Sequence, residues 1–345
     1  MGATGAARKL ASAAALGGGG LSVLGGGLYG VLVLEAKIAR KLIGNATEAA
    51  LDSTGWYGRG RPGPAIRIAL LGDSSAAGYG VDRVEDTTGA HLATGVAAQA
   101  DRRVHLRSFA KVGAQSSALA GQAEAAIGTH PDLAVVLVGA NDVTHTVLPS
   151  ASVRHLAEGV RRLREAGIQV VVGTCPDLGT IRPIPPPLKQ VARGWSRRLA
   201  AAQTITVVEN GGRSVSLGDI LGPEFDAAPA VLFGPDRFHP SADGYRQLAS
   251  VLIPSCLAAL DLLPDDEARP EPRRREGILP VAAAAVRAAR SPGTEVDGTE
   301  VGGTQRGLRG RWVELRHRRR RPATDAESPG EHEHEESAAA PESGA

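Results

Sequence analysis

The stretch that decides the fold is Ile66-Arg67-Ile68-Ala69-Leu70-Leu71, which runs straight into Gly72-Asp73-Ser74-Ser75-Ala76-Ala77-Gly78. A short run that is apolar apart from Arg67 suits a strand covered on both faces better than a helix. Gly72 lets the chain turn sharply off that strand, and small residues follow it. Similar runs recur at Val104–Ala110, Leu133–Val138 and Ile168–Gly173, with a shorter one at Ile205–Val208. Between them the pattern predicts helices over 88–101, 115–128, 151–166 and 187–203. A last helix is expected over 241–263, with Ser241 as its N-cap. Strands alternating with helices of this length predict the α/β class, a three-layer α/β/α sandwich with a parallel central sheet.

In an open parallel sheet, ligands bind beyond the carboxyl ends of the strands, which is where Ser74 stands. A serine hydroxyl is a weak nucleophile and needs a base. Asp236-Arg237-Phe238-His239-Pro240, just before the last helix, offers one. Imidazole exchanges protons at about pH 6.5, and a carboxylate three residues earlier can reach its other ring nitrogen. Gly139-Ala140-Asn141-Asp142 follows the strand Leu133–Val138 and places an amide, a candidate oxyanion donor, at the same edge. Gly113, beyond the strand Val104–Ala110, brings a bare backbone N–H there as well. Taken singly, each piece has an ordinary reading. Ser74 also fits an N-cap, Asn141 a turn residue, and Asp236 a salt bridge to Arg237 or Arg246.

In combination and in this order, the four blocks resemble the SGNH, or GDSL-type, esterase and lipase family. The matching residues are Gly72-Asp73-Ser74, Gly113, Gly139-Ala140-Asn141-Asp142 and Asp236-Arg237-Phe238-His239, and the resemblance spans roughly residues 64–262. It departs from the name-giving motif at Ser75, where the family has Leu, and the block around Gly113 is the loosest match. The resemblance implies the flavodoxin-like SGNH hydrolase fold. It further implies Ser74 as nucleophile, His239 as base, Asp236 as its orienter, and an oxyanion hole from the Ser74 and Gly113 N–H groups with the Asn141 side chain. The implied activity is hydrolysis of carboxylic esters, with short acyl chains favoured because no long apolar lid is evident. No metal and no organic cofactor is needed for that chemistry. Asp73 is expected to be a structural hydrogen-bonder at the turn. Two rival readings are a deacetylase of cell-envelope polysaccharide and a non-catalytic membrane-tethered binding protein that retains the fold.

The rest of the chain sets the context. Of 345 residues, 42% are hydrophobic and 22% charged, ordinary for a globular protein. Aromatics at 3% and a net charge of +2 argue against a stacking, basic surface for nucleic acid, so no nucleic-acid partner is expected. Cys175 and Cys256 are too few for a disulfide scaffold and suit two buried thiols, and their spacing leaves open whether they pair. Leu10–Leu34 holds no charged residue and is long enough to cross a bilayer, with Arg8 and Lys9 before it and Lys37, Arg40 and Lys41 after it. Residues 1–35 are therefore expected to be a single-pass membrane anchor, with the catalytic domain facing the cell envelope. Residues 36–63 read as an amphipathic segment and linker, and residues 64–263 as the catalytic domain. Residues 264–345 read as a charged, largely disordered tail in which Ile278–Arg290 can form a short helix. The tail carries an Arg cluster within Arg306–Arg321 and an acidic block, Asp325–Glu342.

Overall fold

The computed structural model of the chain describes residues 50–180, 185–218, 232–234, 236, 238–263, 279–298 and 311–316. The expected membrane anchor, the segment 36–49 and most of the expected tail lie outside these residues. Among the described residues no helix is long and apolar enough to cross a membrane.

The central strands are β1 (Gly55–Tyr57), β2 (Ile66–Gly72), β3 (Val104–Ser108), β4 (Leu133–Leu137), β5 (Gln169–Gly173) and β6 (Arg213–Val215). β2 pairs in parallel with β3 and β4, β4 with β5, and β5 with β6. The parallel order β3-β2-β4-β5-β6 is that of a flavodoxin-like doubly wound sheet. Winding reverses between β2 and β4, so a crevice opens beyond the carboxyl ends of those two strands. The sequence blocks containing Ser74 and Asn141 emerge there.

Strand alternation builds two cores. Ile66, Ile68 and Leu70 face α2 (Thr88–Ala100) and α7 (Ala242–Ala259), packing with Leu92, Val96, Leu252 and Leu257. Ala69 and Leu71 face the other way, toward α3 (Leu119–Ile127), α5 (Pro149–Glu165) and α6 (Leu188–Glu209), among Leu119, Leu156, Val160 and Leu163. Strands buried on both faces explain the unbroken apolar runs. Two short helices lie at the sheet edge: α1 (Ser74–Ala77) and α4 (Ala140–Thr144). Cys175 and Cys256 are buried and unpaired with each other.

Three expectations are corrected. Ile205–Val208 is the last turn of α6 and not a strand; Val207 and Val208 are buried there, and packing overrides the β preference of the branched run. The helix yields to β6 only after Gly211, at φ +77. Gly55–Tyr57, within the expected amphipathic segment and linker, forms β1 and pairs antiparallel with β3. Part of the expected tail is folded. β8 (Thr294–Gly298) pairs antiparallel with β6, β9 (Arg311–Arg316) with β8, and β7 (Leu279–Pro280) with β9. The helix α8 (Val281–Ala288) buries Ala284 and Ala288 with Val208 and Val296. A buried acid masked this strand: the Glu295 carboxylate, 0% exposed, accepts hydrogen bonds from Arg213 Nη1 at 2.6 Å and Ser255 Oγ at 2.8 Å.

Candidate active site

β2 ends at Gly72, whose φ is +133 and where a Cβ would stand 1.8 Å from the Leu137 carbonyl oxygen, so no side chain fits. Asp73 then donates its N–H to that same carbonyl at 3.0 Å and caps α1, its Oδ1 accepting the Ser75 N–H at 2.9 Å. Ser74 is the first residue of α1, and Gly78 ends the helix at φ +69. The chain before α7 is folded back on itself. Gly234 N–H donates to the His239 carbonyl at 2.9 Å, and Ser241 N–H to Leu232 at 2.8 Å.

Within that turn, Asp236 Oδ1 accepts the N–H groups of Phe238 and His239, each at 3.0 Å. Its Oδ2 lies 2.5 Å from His239 Nδ1, and His239 Nε2 lies 3.1 Å from Ser74 Oγ. Ser74 and His239 are 6% and 7% exposed. The rings of Tyr79 and Phe238 meet the imidazole edge-on, with centroids 4.7 and 4.9 Å away, and restrain its plane. Partial burial pushes the Asp236 carboxyl up, but the hydrogen bonds from His239 and from the Phe238 and His239 N–H groups, with the His239 charge, hold it below its usual value. A hydroxyl and, 165 residues further along the chain, an imidazole with its carboxylate thus form one hydrogen-bonded chain.

Asn141, on α4, lines the same cleft and donates one amide N–H to the Ala114 carbonyl at 3.1 Å. Its neighbour Asp142 is buried and accepts from Ser116 N–H at 3.0 Å, Ser116 Oγ at 3.1 Å and Ser152 Oγ at 2.7 Å. Asp142 therefore ties the loop after β3 to α4 and α5. Gly113 lies in that loop at φ +79, in a turn closed by Ala114 N–H donating to Lys111 O at 3.0 Å. Gly113 is one residue from the carbonyl that Asn141 contacts, and it is not among the cleft-lining residues.

The cleft has a volume of about 60 Å³. Leu137, Leu217, Phe233, Phe238 and Leu248 form much of its wall, with Thr174, Asp177 and Thr180 as polar members. Asp73 also lines it. Burial pushes its carboxyl up from 3.8 to about 6, against the lowering effect of the Ser75 N–H and the His239 charge.

Residues 70–247 match the GDSL-like lipase/acylhydrolase family. Over 256 residues, 71% of this chain and 81% of the relative, the sequence is 41% identical to the GDSL-like esterase Rv1075c of Mycobacterium tuberculosis. The chain belongs to the GDSL-like lipase/acylhydrolase family. This GDSL-like protein is a hydrolase of carboxylic esters. It is also similar to two solved structures at lower identity. One is the psychrotrophic esterase EstA from Pseudoalteromonas sp., at 18% identity and TM-score 0.45, covering 56% of this chain and 97% of that one. The other is a variant of the acetyl xylan esterase Axe2 from Geobacillus stearothermophilus, at 16% and 0.44, covering 58% and 96%.

The sequence reading of this esterase missed several residues around the site. Nothing in the sequence pattern marks Tyr79 as a partner of the imidazole, and Asp142 is marked only by standing next to Asn141. Gln122 and Gln203 were missed too, and a signal for them existed. Gln122 falls on the buried stripe Leu119, Ala123, Ala126 of α3, and Gln203 on the stripe Leu199, Ala200, Val207 of α6. A polar residue on an apolar helix face asks for a buried partner.

Proposed function

We propose that this ester hydrolase works through Ser74 as nucleophile, His239 as general base and Asp236 as the group that orients it, and that it takes short acyl chains. The observation that carries the reading is the pair of contacts at His239, 3.1 Å to Ser74 Oγ on one ring nitrogen and 2.5 Å to Asp236 on the other.

In the first half-reaction, Ser74 Oγ gives its proton to His239 Nε2 and bonds to the ester carbonyl carbon. Negative charge collects on the carbonyl oxygen. The backbone N–H of Ser74, the N–H of Gly113 and the second amide N–H of Asn141 are the donors assigned to it. The imidazolium, stabilised by the Asp236 carboxylate, returns the proton to the departing alkoxide and leaves an acyl-serine. Water then gives a proton to His239 and attacks the acyl carbon. The Ser74 oxygen departs with that proton, releasing the acid and restoring the enzyme.

The preference for short chains is supported by the cleft. Leu137, Leu217, Phe233, Phe238 and Leu248 wall the space beside Ser74 and His239, an apolar surface that suits a small acyl group. A panel of p-nitrophenyl esters from acetate to laurate, run with wild type and Ser74→Ala, tests the reading. Highest kcat/KM on acetate to butyrate, with Ser74→Ala at background, is expected; turnover retained by Ser74→Ala, or a maximum at the long esters, would overturn it. An acetylated polysaccharide in the same panel tests the deacetylase alternative. The uncharged run Leu10–Leu34 supports an N-terminal membrane tether for the same enzyme.

A further inference from the structure

Two buried side-chain amides grip the strand ends from which the Ser74 and Asn141 segments depart. Gln122, on α3, accepts the Gly72 N–H on Oε1 at 2.7 Å and donates from Nε2 to the Gly72 carbonyl at 3.0 Å. Gln203, on α6, accepts the Cys175 N–H on Oε1 at 2.7 Å and donates from Nε2 to the Val138 carbonyl at 2.9 Å. Both side chains are buried from solvent. Gly72 stands two residues before Ser74, and Val138 three before Asn141.

The two places have the same local problem. Gly72 and Gly139 take nearly the same backbone angle, φ +133 and +134, as the chain turns out of the sheet. Backbone groups there leave the ladder and need other partners. The ladder between β4 and β5 ends at Leu137 and Gly173, and Gln203 joins the two strands just beyond it. A Cβ on Gly139 would sit 3.0 Å from Gln203 Nε2, so this amide also forms the floor under the turn. At each place a glutamine amide supplies one acceptor and one donor, which leucine does not; the Gly72 carbonyl also accepts the Lys111 N–H at 3.0 Å, whereas the Gly72 N–H is held by Gln122.

We propose that Gln122 and Gln203 are positioning residues for ester hydrolysis. Gln122 sets the backbone N–H of Ser74 and Gln203 sets the Asn141 amide at the reacting oxygen. The inference rests on the oxyanion roles given to Ser74 and Asn141 above. Such donors act only when held to within about 0.5 Å. They engage the transition-state oxyanion more than the ground-state ester, so loosening them lowers kcat more than it raises KM.

The test uses full-length enzyme and p-nitrophenyl acetate, below the melting temperature of every variant. Gln122→Leu and Gln203→Leu are each expected to lower kcat about 10–100-fold, part of the 10²–10³ carried by a whole donor, with KM changed less than about threefold. In an Asn141→Ala background, Gln203→Leu should change kcat by less than about twofold, because the group it positions is gone. Gln122→Glu gives a second readout. A buried protonated carboxyl keeps one donor and one acceptor, so the ratio of variant to wild-type kcat should rise as pH falls. If the Leu variants melt too low, Gln203→Glu takes the place of Gln203→Leu in the cycle. Equal losses from the Gln203 change in both backgrounds, losses confined to KM, or a ratio flat with pH would overturn the proposal. An Asn141→Ala enzyme with full kcat would instead overturn the oxyanion reading, and the positioning role of Gln203 with it.

Discussion

Replacing Asp236 by Asn separates geometry from tautomer. The carboxylate has two distinct jobs, because Oδ1 accepts the Phe238 and His239 N–H groups while Oδ2 faces His239 Nδ1. An Asn amide must choose an orientation. With its oxygen on the two N–H groups, its NH₂ faces Nδ1, and Nδ1 must then accept. The ring proton moves to Nε2, which can no longer take the proton of Ser74. Flipped, the amide keeps the correct tautomer but points its NH₂ at two backbone donors, losing two hydrogen bonds at ~1–3 kcal/mol for each buried group left unsatisfied. The first orientation therefore dominates. A wrong tautomer in a Ser-His-Asp triad lowers kcat by about 10⁴, equivalent to about 5.5 kcal/mol of barrier. The assay is kcat and KM on p-nitrophenyl acetate at pH 8, with circular dichroism to establish folding. A folded Asp236→Asn enzyme that lost less than about tenfold in kcat would refute the assigned role of Asp236.

Asp73 gives a stability prediction with a defined sign. Burial raises its folded pKa from 3.8 to about 6, so the folded state holds the proton more tightly than the unfolded chain. The contribution is full below pH ~4 and is lost as pH rises through about 6, a cost of up to about 3 kcal/mol at pH 8. Asp73→Asn keeps the N-cap acceptor without the charge, and should melt several degrees above wild type at pH 8 but not at pH 4; an equal gain at both would refute the linkage. Glu295→Ala removes the buried acceptor of Arg213 and Ser255 and should cost about 3 kcal/mol in urea unfolding. A change below about 0.5 kcal/mol would show that β8 does not belong to the cooperative unit. Deleting residues 1–49 should move the enzyme from the membrane pellet to the supernatant on cell fractionation, and an unchanged distribution would refute the tether.

The central fold was legible in the sequence because its strands are buried on both faces, which leaves apolar runs such as Leu133–Leu137 with no polar residue to blur them. The residues that meet at the cleft were legible for a different reason. Each lies at a strand end or before a helix, where glycine and small residues mark the turn. What stayed hidden depends on pairing across the fold. Thr204–Val208 has strand-like composition, and its helical state follows from α6 packing. Thr294–Gly298 carries two acids in five residues, and only the partners Arg213 and Ser255 make Glu295 tolerable inside. Gln122 and Gln203 stand out in the sequence only as polar residues on apolar helix faces, and what they hold follows from the carbonyls and N–H groups they face.

The most direct test is the site of covalent capture. The intact, full-length esterase is treated with a fluorophosphonate at sub-stoichiometric and excess ratios, and the adduct is located by peptide mass spectrometry. One adduct per chain is expected, on the peptide carrying Gly72-Asp73-Ser74, with its formation abolished by Ser74→Ala and slowed by His239→Ala. An active, folded enzyme whose adduct maps to another residue, or which forms none, would contradict the account.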